Sequence, residues 1–114
     1  MATINPTYNV LQDSLVSVTW ANMTTGDIAG AHYVRGKPAL TTVQAEGTFN
    51  STRIGLTGSL SNVAYIPATD MTQTAISFTA NGAVGVLEPY VYWKPTISSG
   101  SSDNVTITLS YWVH

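Results

Sequence analysis

The chain has 114 residues, no cysteine, a formal net charge of −2 and only 9% charged residues, against about 25% in a typical soluble domain. That length is one domain with enough chain to bury a core, and the missing cysteines exclude disulfides, thiolate chemistry and cysteine-ligated zinc. The four basic residues, Arg35, Lys37, Arg53 and Lys94, are scattered, whereas nucleic acid binding needs clustered cations to displace counterions.

In chain order, the pattern is that of strands. The segment Met1 to Asp13 opens with ten residues, Met1 to Val10, that contain neither the basic nor the apolar region of a targeting segment. It reads as an extended N-terminal arm or edge strand, Thr3 to Leu11, interrupted by Pro6, with Tyr8, Val10 and Leu11 as apolar anchors. Such an arm either adds to a neighbour's sheet edge or forms the first strand of its own sheet. Residues 14–114 read as one β-sandwich domain. Ser14 to Trp20 places Val16, Val18 and Trp20 on one face, because successive strand side chains point to opposite sides. Asn22 to Gly30 reads as a long connection turning at Gly26-Asp27.

Leu40 to Phe49 sets Val43, Ala45 and Phe49 against Thr42, Gln44 and Glu46. Arg53 to Gly58 carries Ile54 and Leu56. Short strands are expected at Asn62 to Ile66, Thr74 to Thr79 (Ile76, Phe78) and Gly85 to Glu88. Tyr90 to Ser98 places Val91, Trp93 and Ile97 on one face and Tyr90, Tyr92 and Lys94 on the other. After a Gly/Ser loop at 98–104, Val105, Ile107, Leu109, Tyr111 and Val113 line one buried face, with hydroxyls between them. Trp112 breaks the polar face, as a contact residue or a covered rim position. Turns at Gly36-Lys37-Pro38, Gly47, Gly58-Ser59 and Asn81-Gly82 separate these runs. The sum is an all-β fold, an antiparallel β-sandwich of jelly-roll or immunoglobulin-like type with about eight strands. No apolar run approaches the length needed to cross a bilayer as a helix, so no membrane partner is expected.

Little points to catalysis or to a cofactor. His32 and His114 lack the partners of a zinc ligand or a general base. The six carboxylates are Asp13, Asp27, Glu46, Asp70, Glu88 and Asp103. Asp27 and Asp103 sit beside Gly or Asn, where an aspartate bonds nearby backbone N–H groups. A convergent pair such as Asp27 and Glu88 would be needed for glycoside hydrolysis. Calcium would find only one carboxylate among Asn22, Thr24, Thr25 and Asp27. The three Asn-x-Ser/Thr matches at Asn22, Asn50 and Asn104 read as turn and strand residues. The aromatics Trp20, Tyr33, Tyr90, Tyr92, Trp93, Tyr111 and Trp112 suit interfaces, sugar platforms or the capped ends of a sandwich.

Several runs, taken in order, resemble a known family. They are Val18-Thr19-Trp20, Gly26-Asp27, Val43-Gln44-Ala45-Glu46-Gly47-Thr48-Phe49, Leu56-Thr57-Gly58-Ser59, Tyr90 to Pro95 and the terminal Val105-Thr106-Ile107-Thr108-Leu109. This order is similar to the small β-sandwich head decoration (cement) proteins of tailed bacteriophages, over residues 16 to 109. Leu60-Ser61-Asn62 and Tyr65 stand where those relatives often carry Asn-Asp-Gly and a Trp, and Lys94-Pro95 stands where an Arg-Pro pair is common. The resemblance implies a virion structural protein on the outer surface of the phage capsid. It would be a homotrimer binding the major capsid protein, without enzyme activity or cofactor. Interface candidates are Tyr8, Val10, Leu11, Trp20, Asp27, Tyr90, Tyr92 and Trp112. The rival reading is a tail, fibre or baseplate module, structural or carbohydrate-binding, with Tyr92 or Trp112 as a stacking surface.

Overall fold

A computed structural model describes residues 2–12, 15–34 and 38–113, without the side chains at 11, 12, 38 and 39. Twelve strands occur among these residues: β1 (Thr3–Ile4), β2 (Thr7–Gln12), β3 (Leu15–Met23), β4 (Ile28–Ala29), β5 (His32–Tyr33), β6 (Pro38–Thr48), β7 (Arg53–Ser59), β8 (Ile66–Pro67), β9 (Ser77–Phe78), β10 (Gly82–Gly85), β11 (Tyr92–Ser98) and β12 (Asn104–Val113). Five of the twelve are two-residue pairs, so the long strands are close to the expected number. Asp13, Ser14, Arg35, the Gly36-Lys37 turn and His114 lie outside the described residues, as does the side chain of Leu11.

The larger sheet runs β10-β6-β12-β3-β2 and the smaller β5-β11-β7-β8, with β9 also paired to β7. All neighbours in both sheets are antiparallel. One departure from the expected pairing is the β1–β4 clasp, which is parallel. Pro6, which has no N–H to donate, sits between β1 and β2, where the chain leaves the clasp and joins the edge of the larger sheet.

The alternation read from the sequence produces the core. Val16, Val18 and Trp20 of β3, Val43 and Ala45 of β6, and Val105, Ile107, Leu109 and Tyr111 of β12 are buried together with Ile54, Leu56, Trp93 and Ile97 of the smaller sheet. Trp20 is fully enclosed, and its indole N–H donates to the Gly30 carbonyl at 2.7 Å, which satisfies its polar atom inside the core. Phe49, just past β6, packs against the cluster while half-buried.

Three register shifts interrupt the larger sheet: between Val10 and Gln12 against β3, between Val105 and Ile107 against β3, and between Ser110 and Trp112 against β6. The second holds Asn22 at φ 56° and the third holds Leu40 at φ 55°. An inserted residue with left-handed backbone bends and twists the strand locally. Four expectations shift accordingly. Residues 62–65 form a bend and not a strand; the expected strand at Gly85 to Glu88 is β10, earlier in the chain; within 74–79 only Ser77–Phe78 forms a strand, while Ala75 makes an isolated antiparallel bridge to Thr69; and the connection at 22–30 contains β4.

Candidate interaction surface

One end of the sandwich is locked by a carboxylate. Asp103 is only 5% exposed. It accepts hydrogen bonds from the Thr25 N–H (2.8 Å), the Thr25 hydroxyl (2.6 Å) and the Thr52 hydroxyl (2.6 Å). Three connections, β3–β4, β6–β7 and β11–β12, therefore meet on one side chain. Burial alone would raise its pKa; the bonds from Thr25 and Thr52 outweigh this and hold it below the usual carboxylate range. A Cβ at Gly100 would collide with both Thr52 and Asp103, so glycine is required there. Asp27 is the smaller version, accepting from the Thr24 N–H and hydroxyl and from the Ala2 N–H, with its pKa lowered chiefly by the Thr24 N–H.

Asp27 lines a cleft with Lys94 and Tyr65, whereas Glu88 lines another with Leu40 and Met71. The two do not converge. Glu88 is occupied by the hydroxyl and N–H of Thr69. Among the described residues no group of three or more His, Cys, Asp or Glu comes together. His32 is buried in β5, with Nε2 at 2.8 Å from the Tyr111 hydroxyl. Among the described residues no helix is long and apolar enough to cross a membrane.

Three kinds of surface remain. The outward face of the larger sheet is a field of hydroxyls and amides. Thr7, Thr19, Thr108 and Gln44 align across β2, β3, β12 and β6, and Asn9, Ser17, Ser110 and Thr42 form the next row. Glu46 pairs with Thr106 at one margin of this face. Trp112, 39% exposed, shares this outer face beside Leu15 and is not a covered rim position.

The second surface is apolar and belongs to loops. Leu60, Val63 and Ile66 stand out around the bend after β7, with Val63 85% exposed. Leu40, Met71 and Leu87 are exposed around a cleft of about 160 Å³ at the β6 bulge. The third is the outward face of the smaller sheet, where Tyr33 and Tyr92 face each other across β5 and β11 with ring centroids 5.2 Å apart.

The predicted interface residues divide between these surfaces and the interior. Tyr8 and Val10 lie opposite Val18 and Val16 on edge strand β2; they point to the core side yet remain exposed. Tyr92, Asp27 and Trp112 reach the surface or a cleft. Trp20 offers no surface at all. Tyr90 corrects the expected faces: it packs edge-on against Trp93, 5.5 Å between centroids, instead of opposite to it. Residues 89–91 precede the strand, so alternation does not extend to them. Val91 is accordingly only half-buried. Sequence reasoning missed Leu40, Leu60, Val63 and Ile66 as surface groups, and Tyr33 and Tyr65 as partners of Tyr92. The signal available for the first group was two apolar residues, Leu60 and Val63, inside a run of Ser and Asn.

No protein-family model matches the chain, and no curated protein matches its sequence. Among solved structures the chain is similar to YomS, a protein derived from the SPBc2 prophage, at 14% identity and a TM-score of 0.62, covering 90% of this chain and 99% of that one. It is also similar to a cupin domain from Bordetella pertussis Tohama I, at 11% identity and a TM-score of 0.46, over 93% and 90% of the two chains. The first likeness establishes a shared fold over nearly the whole of both chains; the second is too distant to carry an argument.

Proposed function

We propose that this protein is a virion structural protein that decorates the outside of a phage head, where a homotrimer bridges neighbouring major capsid protein subunits without catalysis. The observation that carries the reading is the set of eleven large hydrophobic side chains left exposed, among the described residues, on a body with so few charges. Isolated exposed leucines are ordinary, but apolar groups gathered in one loop and at one bulge mark contact sites. Leu60, Val63 and Ile66, and separately Leu40, Met71 and Leu87, form such groups.

A fold shared with a prophage product supports a phage origin. The chemistry fits a lattice role. A stable contact needs about 800 Å² per partner, and repetition on a shell turns modest contacts into high avidity. Purified protein added to expanded shells that lack it should bind at micromolar concentration and raise their melting temperature. Leu60→Ser with Val63→Ser should weaken that binding about tenfold or more while leaving the isolated protein's own melting temperature nearly unchanged, because both side chains are exposed. Shells that take up no protein at micromolar concentration, or label found on tails alone, would overturn the capsid reading.

A further inference from the structure

We propose that the outward face of β11 carries a binding site for a neutral glycan, with Tyr92 and Tyr33 as the stacking platform beside a cleft in which Lys94 and Asp27 are the polar groups that orient the sugar. This goes beyond the structural role above and is independent of it.

The cleft follows from alternation. Trp93, Pro95 and Ile97 face the core, so Tyr92, Lys94 and Thr96 project outward from one rigid strand. At about 3.3 Å per residue they span roughly 13 Å. β11 is flanked on one side by β5, with β4 also in contact, and on the other by β7. From the first side come Tyr33, 60% exposed, and the Asp27-Ile28 turn. From the second comes Tyr65, whose ring lies 5.0 Å from the Lys94 ammonium and whose hydroxyl donates to Asn62 Oδ1. Between the Asp27-Ile28 turn and Tyr65 is an open cleft of about 330 Å³, whose polar lining is Asp27, Thr57, Tyr65, Lys94 and Thr96, with Pro95 and Ile97 at its floor; the Tyr33–Tyr92 pair adjoins it along β11. That volume is at the small end of the range for ligand sites.

The chemistry matches a sugar better than its rivals. A pyranose has an apolar C–H face and a rim of hydroxyls. It needs an exposed aromatic ring and fixed donors and acceptors. Here Tyr33, 60% exposed, supplies the first, with the half-buried Tyr92 tilted 53° against it. The Lys94 ammonium donates, and Asp27, held ionised by Thr24 and Ala2, accepts. Burial, with a further contribution from Tyr92, pushes the Tyr65 phenol up, so it stays a neutral hydroxyl. One cation beside one carboxylate gives no net charge to attract a polyanion, and a single-stranded nucleic acid would need a cationic groove beside the aromatics.

The test titrates the isolated chain with maltohexaose, cellohexaose, laminarihexaose and mannohexaose, and with polygalacturonate as the acidic control, following backbone amide resonances by NMR. At least one neutral oligosaccharide should shift Tyr92, Lys94 and Thr96 at millimolar concentration or below. Tyr92→Ala and Tyr33→Ala should each weaken binding about tenfold. Trp112→Ala, on the opposite sheet, should leave it unchanged; a melting curve for each variant separates lost binding from lost fold. The proposal is overturned if no neutral glycan shifts these residues, if only the polyanion does, or if Tyr33 and Tyr92 are covered by a second copy or another protein in the assembled particle.

Discussion

Asp103 ties together more of the chain than any other single polar side chain described above. Its two oxygens take three hydrogen bonds from Thr25 and Thr52, and hydrogen bonds to a buried charge are worth more than neutral ones. Asp103→Ala leaves both threonine hydroxyls and one N–H to find new partners. It should lower unfolding stability by about 2–4 kcal/mol in urea titrations; a change below about 0.5 kcal/mol would show that the three connections hold without it. Gly58 makes a similar point through space. A Cβ there would run into the Tyr90 ring, so Gly58→Ala should cost about 1–3 kcal/mol. In a Tyr90→Ala background most of that cost should vanish, and a double-mutant cycle in chemical denaturation measures the difference. Leu40 carries the opposite signature. A branched side chain at φ 55° and 75% exposed contributes little burial and holds an unfavourable backbone. Leu40→Gly should raise stability by about 0.5–1 kcal/mol while weakening shell binding, the pairing expected of a residue kept for contact.

Among the elements, what the sequence revealed and what it hid follow one rule. Long strands with one buried face were legible, because period two persists over enough residues to be unmistakable. Val105 to Val113, Val16 to Trp20 and Ile54 to Leu56 all face as the alternation requires. Two-residue pairs such as β4, β5 and β8 have no period to read. Bulges shift the register by one residue and leave no compositional mark. Asn22 hints at one, since asparagine tolerates left-handed backbone, but Leu40 gives no such hint. The platform was half legible. Tyr92 stood out, but Tyr33 joins it only through pairing across the sheet and Tyr65 only from the unpaired residues before β8. Trp20 shows the converse limit. Its hydrophobicity suits an interface and a core equally, and only the Gly30 carbonyl waiting for its N–H assigns it to the interior.

At the scale of the molecule, acid stability is set by carboxylates serving as structural acceptors. Asp27, Asp70, Glu88 and Asp103 all titrate below their ordinary values. The leading cause for Asp27 is the Thr24 N–H and for Asp70 the Thr72 hydroxyl. Burial works against the shift at Glu88 and Asp103, and there the threonines outweigh it. A carboxyl with a folded pKa below its unfolded one stabilises the fold above the unfolded value and loses that contribution as pH falls through the folded one. The contribution is therefore complete above about pH 5 and drains away below about pH 4. Melting temperatures taken down that range should drop, and Asp103→Asn should flatten the drop while lowering the plateau.

The hydroxyl-covered broad sheet and the apolar loops have a further consequence for the capsid attachment proposed above. Ions in solution weaken attraction between opposite charges within a Debye length, yet they barely touch contacts made of methyl groups and threonines. Attachment should survive a rise from about 0.05 to 1 M sodium chloride with its dissociation constant changed less than about threefold, as measured by co-sedimentation with shells. A particle dressed in such a coat would pass from fresh water to brine with its outer layer still in place.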